Sequence, residues 1–224
     1  MALVLSGTNI QRVGVVDDSE DTRDTISDEL QDARVEPKAF DGPFRTLKEL
    51  IDTVAADVDA VICDHHLTPR NYAPCTGAEA VANWYSNRFP AVLVTRWEKA
   101  EIDGIRPFRR NIPSLIPSDE ANPDAIVKGL EVCIEEFNAH FTPPRKPWTN
   151  MFRVEDVDES AKPEQVYVVI PGWQSDEVIR LTLDLFPEPL RGHVKPDERF
   201  FAVMNLGAQT QEDLYFSDIE YRGK

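Results

Sequence analysis

The 224-residue chain has few positive charges for its size. It carries 24 Lys and Arg against 40 Asp and Glu, which gives a formal net charge of −16. A protein that binds nucleic acids through their backbone presents a basic face. The acidic balance therefore argues against a nucleic-acid partner.

Cysteines and long apolar runs are also scarce. The three cysteines, Cys63, Cys75 and Cys133, form no Cys-x-x-Cys pair and support neither a zinc site nor a disulfide framework. No apolar run approaches the length of a membrane span, and residues 2–5 are too short a run for a signal peptide. We therefore expect free thiols in a soluble, cytoplasmic protein with no membrane partner.

Short apolar runs alternate with helical patterns through the first part of the chain. The runs that predict buried strands are residues 12–17, 35–40, 60–63, 91–94 and 112–116. Helical spacing or capping residues follow each run, although Gly104 and Pro107 weaken the helix predicted over 97–111. This order predicts an α/β domain over residues 10–142, with a doubly wound, five-stranded parallel sheet.

The pattern changes after residue 142. Residues 143–149 are proline-rich and predict a linker. Period-two runs beyond it predict a small β-rich domain over residues 150–224. That region holds 8 Lys or Arg and 15 Asp or Glu, a net charge of −7, which is the wrong sign for a DNA-binding output domain. We expect an interaction module whose unidentified partner is a protein.

Acidic residues stand at the ends of two predicted strands. Asp17 and Asp18 follow the first strand, Asp64 ends the third, and Thr95 ends the fourth. The carboxyl ends of parallel strands form the ligand-binding edge of such a sheet. Clustered carboxylates repel one another and are normally held by a divalent cation such as Mg²⁺. An aspartate neutralised in this way can attack a phosphoryl donor and form an acyl phosphate.

The segments that contain these residues, 15–19, 61–67 and 92–95, resemble the receiver domains of two-component response regulators, which have the CheY-like fold. The resemblance covers roughly the first 60% of the chain. It implies that Asp64 accepts phosphate from a histidine kinase. It also implies that Asp17, Asp18, Asp64 and the main-chain carbonyl of His66 bind Mg²⁺, and that Thr95 turns toward the phosphate. Such a protein is not an enzyme beyond the phosphorylation and dephosphorylation of its own aspartate.

The sequence departs from the receiver pattern in two places. The family has a lysine before a proline at the end of the fifth strand, where this chain has Ile116 and Pro117. Four other cations are candidates for its role: Arg96, Lys99, Arg109 and Arg110. The loop after Asp64 is also longer than is usual in the family, because residues 70–76 precede the expected glycine, Gly77.

Three functions remain open from the sequence. The first is a phosphorylated receiver that relays its state to a protein partner through the β-rich domain. The second is a degenerate receiver that docks proteins without phosphoryl chemistry. The third is a metal-dependent phosphoesterase of the DHH type that uses Asp64, His65 and His66, although the upstream histidine motif of that family is missing. A homodimer also remains open, because receivers often pair through their last two helices.

Overall fold

A computed structural model of the protein describes residues 3–96 and 101–223. The chain divides into two compact units. The first unit contains residues 1–98 and 111–140, and the second contains residues 99–110 and 141–224. None of the helices in the described ranges has both the length and the hydropathy needed to cross a membrane.

The first unit is built on a five-stranded parallel sheet. Its strands are β3 (Arg12–Val16), β4 (Glu36–Ala39), β5 (Ala60–Asp64), β6 (Ala91–Thr95) and β7 (Leu115–Pro117). The strands lie in the order β4-β3-β5-β6-β7. If the five strands are renumbered from 1 in chain order, starting with β3, this is the 2-1-3-4-5 order of flavodoxin-like, doubly wound domains. The predicted fold class is confirmed.

Helices cover the sheet and begin where the sequence supplies caps. The helices of this unit are α1 (Glu20–Asp32), α2 (Leu47–Asp57), α3 (Gly77–Ser86) and α5 (Pro123–Phe137); α4 belongs to the second unit. The side chains of Thr46, Thr76 and Asn122 each accept a hydrogen bond from a main-chain N–H in the first turn. These bonds satisfy donors that a helix start would otherwise leave unpaired.

A short N-terminal hairpin precedes the sheet. Strands β1 (Leu3–Leu5) and β2 (Thr8–Ile10) pair antiparallel around Ser6 and Gly7, which both have positive φ, at 45° and 85°. Two positive φ angles are the signature of a type I′ hairpin turn. Leu5 and Ile10 are buried in the hydrophobic core of the first unit. The unit therefore begins before residue 10, where the sequence pattern predicts its start.

The second unit is an antiparallel sheet. Its strands are β8 (Trp148–Asp158), β9 (Gln165–Val169), β10 (Ile179–Thr182), β11 (Arg199–Met204) and β12 (Phe216–Tyr221). The order is β10-β9-β8-β11-β12. Three strands joined in succession and a fourth that returns beside the first form a Greek key. The β-rich character predicted for this region is confirmed, and the sheet begins within the stretch expected to be a linker.

Four phenylalanines form the centre of the core of the second unit. Phe152, Phe186, Phe200 and Phe216 are all buried. The ring of Phe152 lies 5.9, 5.7 and 5.7 Å from the other three, measured between centroids. Aromatic rings at these separations stabilise a core beyond the area they bury. Phe200 is therefore a core residue of this sheet.

Residues 99–110, which lie between β6 and β7 in sequence, belong to the second unit. The segment between these strands contains α4 (Ile102–Ile105) and a 3₁₀ helix over Arg106–Asn111. Arg106 is buried and donates to the main-chain carbonyls of Gln211 at 2.9 Å and Leu214 at 3.1 Å. The helix predicted over 97–111 is thus only a four-residue turn and a 3₁₀ helix, and residues 97–100 lie outside the described residues.

Residues 143–149, predicted to be a linker, are fixed within the second unit. Arg145 is buried, and its guanidinium donates to the main-chain carbonyls of Arg109 at 3.0 Å and Arg110 at 2.8 Å. The hydroxyl of Tyr215 donates to the carbonyl of Arg145 at 3.0 Å. A flexible linker would not have these bonds, which composition alone does not reveal.

Replacement of Arg106 by methionine should lower the free energy of unfolding by about 2 kcal/mol, because two main-chain carbonyls, one of them buried, lose their charged donor. The control is Arg180→Met, which removes an exposed ion pair to Asp103 and should change stability by less than about 1 kcal/mol. Urea denaturation followed by circular dichroism measures both effects. Equal midpoints for the two variants would contradict the anchoring role of Arg106.

Candidate functional site

A cavity of about 220 Å³ lies at the carboxyl edge of the parallel sheet in the first unit. Strand ends, the start of α1 and the loop after β5 supply its walls. The charged and polar residues that line it are Asp17, Asp18, Ser19, Thr22, Asp64, His66, Arg70, Arg96 and Ser118. The three aspartates singled out in the sequence therefore share one cavity.

Asp17 is the residue directly after β3, and only 6% of its surface is exposed. One carboxylate oxygen accepts a hydrogen bond from the main-chain N–H of Ser19 at 2.7 Å. Burial is the main reason that the pKa of Asp17 is raised from 3.8 to about 6; the nearby carboxylates of Asp64 and Asp18 also raise it, whereas the Ser19 hydrogen bond and Arg23 lower it. At neutral pH the cavity therefore holds crowded negative charge.

Asp64 ends β5 and is partly buried. Burial raises the pKa of its carboxyl, against the lowering effect of the hydrogen bond from the main-chain N–H of His66 at 2.7 Å. Behind Asp64 lies the start of α3, where the N–H of Gly77 donates to the carbonyl of His65 at 2.8 Å. A Cβ at Gly77 would lie 1.8 Å from the Asp64 carbonyl oxygen, so only glycine allows this approach.

Arg70 is a residue of this site that sequence reasoning missed. Its guanidinium donates to the main-chain carbonyl of Asp18 at 2.9 Å and lies 3.9 Å from the carboxylate of the same residue. Arg70 and Asn71 both have positive φ, at 57° and 55°. The next residue, Tyr72, fixes the loop by donating its hydroxyl to the carbonyl of Phe40 at 2.7 Å. The unusual length of the loop was the only signal in the sequence.

Thr95, the predicted switch residue, is buried at the end of β6. The residues on either side of it, Val94 and Arg96, line the cavity. Val94 is the register partner of Asp64 on the neighbouring strand. Thr95 is therefore close in sequence and register to the cavity, and its reorientation toward a phosphoryl group stays a prediction.

The end of β7 brings no cation to the cavity. Ile116 is buried, and after Pro117 the residue that reaches the cavity is Ser118. Among the four candidate replacements for the expected lysine, Arg96 lines the cavity. Lys99 lies outside the described residues. Arg109 donates a hydrogen bond to the carboxylate of Asp213, and the guanidinium of Arg110 lies over the ring of Tyr215. Both contacts are within the second unit.

The carboxylates fit Mg²⁺ better than a metal that needs a complete protein cage. Within residues 3–96 and 101–223, no three His, Cys, Asp or Glu side chains are grouped as a ready-made metal site. Magnesium is commonly bound through one or two carboxylates and keeps several waters. Burial is the main cause of the raised pKa of Asp17, and repulsion from Asp64 and Asp18 adds to it; a bound cation would relieve that repulsion.

His65 is buried, with 5% of its surface exposed. Burial, with a smaller effect of His66, lowers the pKa of His65 from 6.5 to about 4. Its imidazole is therefore neutral at pH 7. No feature of the described residues adds the further ligands that a DHH-type phosphoesterase would need around Asp64, His65 and His66.

No protein-family model and no curated protein matches the chain. Solved structures that are similar to it include a response regulator receiver domain protein from Clostridium thermocellum, with 12% identity and a TM-score of 0.44 over 58% of this chain and 98% of that chain. The chemotaxis response regulator CheY4 of Vibrio cholerae has 22% identity and a TM-score of 0.38 over 55% and 98%. The anti-anti-sigma factor PhyR from Bartonella quintana has 18% identity and a TM-score of 0.43 over 60% and 51%. At these identities the likeness concerns the fold.

Proposed function

We propose that this protein is a response-regulator-like signalling protein. Its first unit binds Mg²⁺ through Asp17, Asp18 and Asp64, and Asp64 accepts a phosphoryl group. The observation that supports this proposal is the cavity that all three aspartates line, two of them with raised pKa values. Perturbed carboxylates that converge in a cavity are typical of functional sites.

The chemistry asked of Asp64 is nucleophilic attack on phosphorus. A carboxylate oxygen forms the new P–O bond, and the bond from phosphorus to the donor's leaving group breaks. The leaving group takes the electron pair and is protonated from solvent. When bound, Mg²⁺ would neutralise the carboxylates and polarise the phosphoryl oxygens. The hydrogen bond from the N–H of His66 orients the Asp64 carboxylate for the attack.

The proposed relay follows the course of the chain. Residues 101–110 begin six residues after the end of β6 in sequence and belong to the second unit, where Arg106 anchors them. A change at the end of β6 therefore has a short covalent path into that unit. The acidic β-sheet unit would then present the signal to a protein partner, and a histidine kinase would supply the phosphoryl group.

Asp64→Asn is the test of this proposal. The wild-type protein, incubated with Mg²⁺ and acetyl phosphate, should gain the mass of one phosphoryl group, and Asp64→Asn should gain none. The control is Asp52→Asn, an exposed aspartate on α2 paired with Lys48, which should gain the same mass as the wild type. The proposal fails if the folded wild-type protein shows no mass gain and calorimetry detects no Mg²⁺ binding.

One observation favours a second function. The end of β7 carries Ile116 and Pro117, with no cation to hold a phosphoryl group there. A degenerate receiver that docks proteins without phosphorylation would have no need of that cation. This alternative would stand if the protein bound its partner equally well with and without Mg²⁺ and phosphodonor.

A further inference from the structure

Arg96, the residue directly after β6, lines two adjoining spaces. Arg96 lines the acidic cavity and also an adjoining open groove of about 580 Å³. Val94 and Ser118 line both spaces as well. Arg96 itself is exposed to solvent.

Arg96 differs from the other guanidinium of the cavity in its bonding. Arg70 is engaged with Asp18 through both its hydrogen bond to the main-chain carbonyl and its proximity to the carboxylate. Across residues 3–96 and 101–223, no hydrogen bond or ion pair holds the side chain of Arg96. Arg96 is thus a charged donor whose hydrogen-bonding capacity the described residues do not use.

The position of Arg96 suits a group attached to Asp64. Strands β5 and β6 are neighbours, and Asp64 pairs with Val94 in their register. Arg96 lies two residues beyond Val94 and is the first residue after the end of β6. Both of these side chains line the cavity, whereas Thr95 between them is buried.

Once Asp64 is phosphorylated, the negative charge in the cavity requires a further cation besides the metal ion. A phosphoryl group brings nearly two negative charges and three strong acceptor oxygens. One divalent ion would be shared with Asp17 and Asp18, which are themselves acidic. Arginine meets the remaining need well, because its planar group binds two phosphoryl oxygens at once.

We propose that Arg96 is the cation that holds the phosphoryl group on Asp64. This inference rests on the proposed function and adds to it the residue that senses phosphorylation. Arg96 is also the last described residue before the chain enters the segment 101–110 of the second unit.

The test uses the full chain, Mg²⁺ and beryllofluoride, which imitates a phosphoryl group. Calorimetry gives the affinity for Mg²⁺ alone, and fluorine NMR follows the beryllofluoride complex. Arg96→Gln should bind Mg²⁺ no more weakly than the wild type but bind beryllofluoride roughly 10- to 100-fold more weakly, since a charge-assisted bond is lost. Arg96→Lys should recover most of the beryllofluoride affinity.

The matched control is Arg70→Gln, which removes the other guanidinium of the same cavity. It should weaken beryllofluoride binding less than Arg96→Gln does. Equal beryllofluoride affinity in the wild type and Arg96→Gln would overturn the role of Arg96 and leave the proposed function intact. A wild-type protein that binds neither Mg²⁺ nor beryllofluoride would instead overturn the proposed function itself.

Discussion

Replacement of Asp17 by asparagine should stabilise the protein at pH 7 by up to about 3 kcal/mol, although Asp17 belongs to the proposed metal site. The pKa of Asp17 is raised from 3.8 to about 6 in the folded protein. Each unit of such a shift corresponds to about 1.4 kcal/mol of unfavourable free energy for the charged form. Asparagine keeps an oxygen that can accept the Ser19 hydrogen bond and carries no charge to be buried.

The pH dependence of this effect has a definite sign. Because the folded pKa lies above the unfolded one, protonated Asp17 contributes stability that is fully present below pH 3.8 and lost as the pH rises through about 6. The gain of Asp17→Asn should therefore be large at pH 7 and small near pH 4. Urea denaturation without divalent cations at both pH values measures it. A gain that is the same at both pH values, or a loss at pH 7, would contradict the prediction.

The control is Asp52→Asn, which removes an exposed carboxylate with an ion pair to Lys48. It should change stability by less than about 1 kcal/mol at either pH. A specific gain at Asp17 would mean that the cavity keeps a destabilising cluster of charge. Such strain is typical of sites kept for function at the expense of stability.

The parallel sheet could be predicted because its central strands are buried on both faces. Residues 13–16, 60–63 and 91–94 therefore appear in the sequence as continuous apolar runs. The position of the acidic cavity followed from the same pattern, since polar residues come directly after these runs. Topology then brings Asp17, Asp18 and Asp64 to one edge.

The central strand of the second unit could not be predicted in the same way. Of the eleven residues of β8, Phe152 and Val154 are buried, and a register shift between Val154 and Asp156 breaks the alternation. A bulge moves side chains to the other face, so a strict period of two fails. The strand also begins at Trp148, inside a proline-rich stretch that composition assigned to a linker.

The structure of the segment between β6 and β7 could not be predicted from the sequence, because it depends on buried arginines. Arg106, Arg109 and Arg145 are all buried, which their charge does not suggest. Each donates to groups of the second unit that lie far away in sequence, such as the carbonyl of Leu214 and the carboxylate of Asp213. Pairing of that kind depends on the folded arrangement and leaves no local pattern.

Replacement of Gly77 by alanine should be among the most damaging single changes in the first unit. A Cβ there would lie 1.8 Å from the carbonyl oxygen of Asp64 and 2.9 Å from the Cα of His65. Both are main-chain atoms, so relief requires a shift of the backbone rather than a side-chain rotation. Overpacking of this severity costs about 3 kcal/mol or more. The shift would also displace the Asp64 carboxylate, so Mg²⁺ binding should weaken along with stability.

The matched control is Gly104→Ala, because a Cβ at Gly104 meets no atom within 4 Å. This glycine lies inside the short helix α4, where alanine should be neutral or stabilise by up to about 1 kcal/mol. Urea denaturation gives the stabilities and calorimetry gives the Mg²⁺ affinities. A Gly77→Ala protein as stable as the wild type would show that α3 does not pack against the Asp64 main chain. If Gly77→Ala lost both stability and Mg²⁺ binding while Gly104→Ala lost neither, the start of α3 would be shown to maintain the geometry of the acidic cavity.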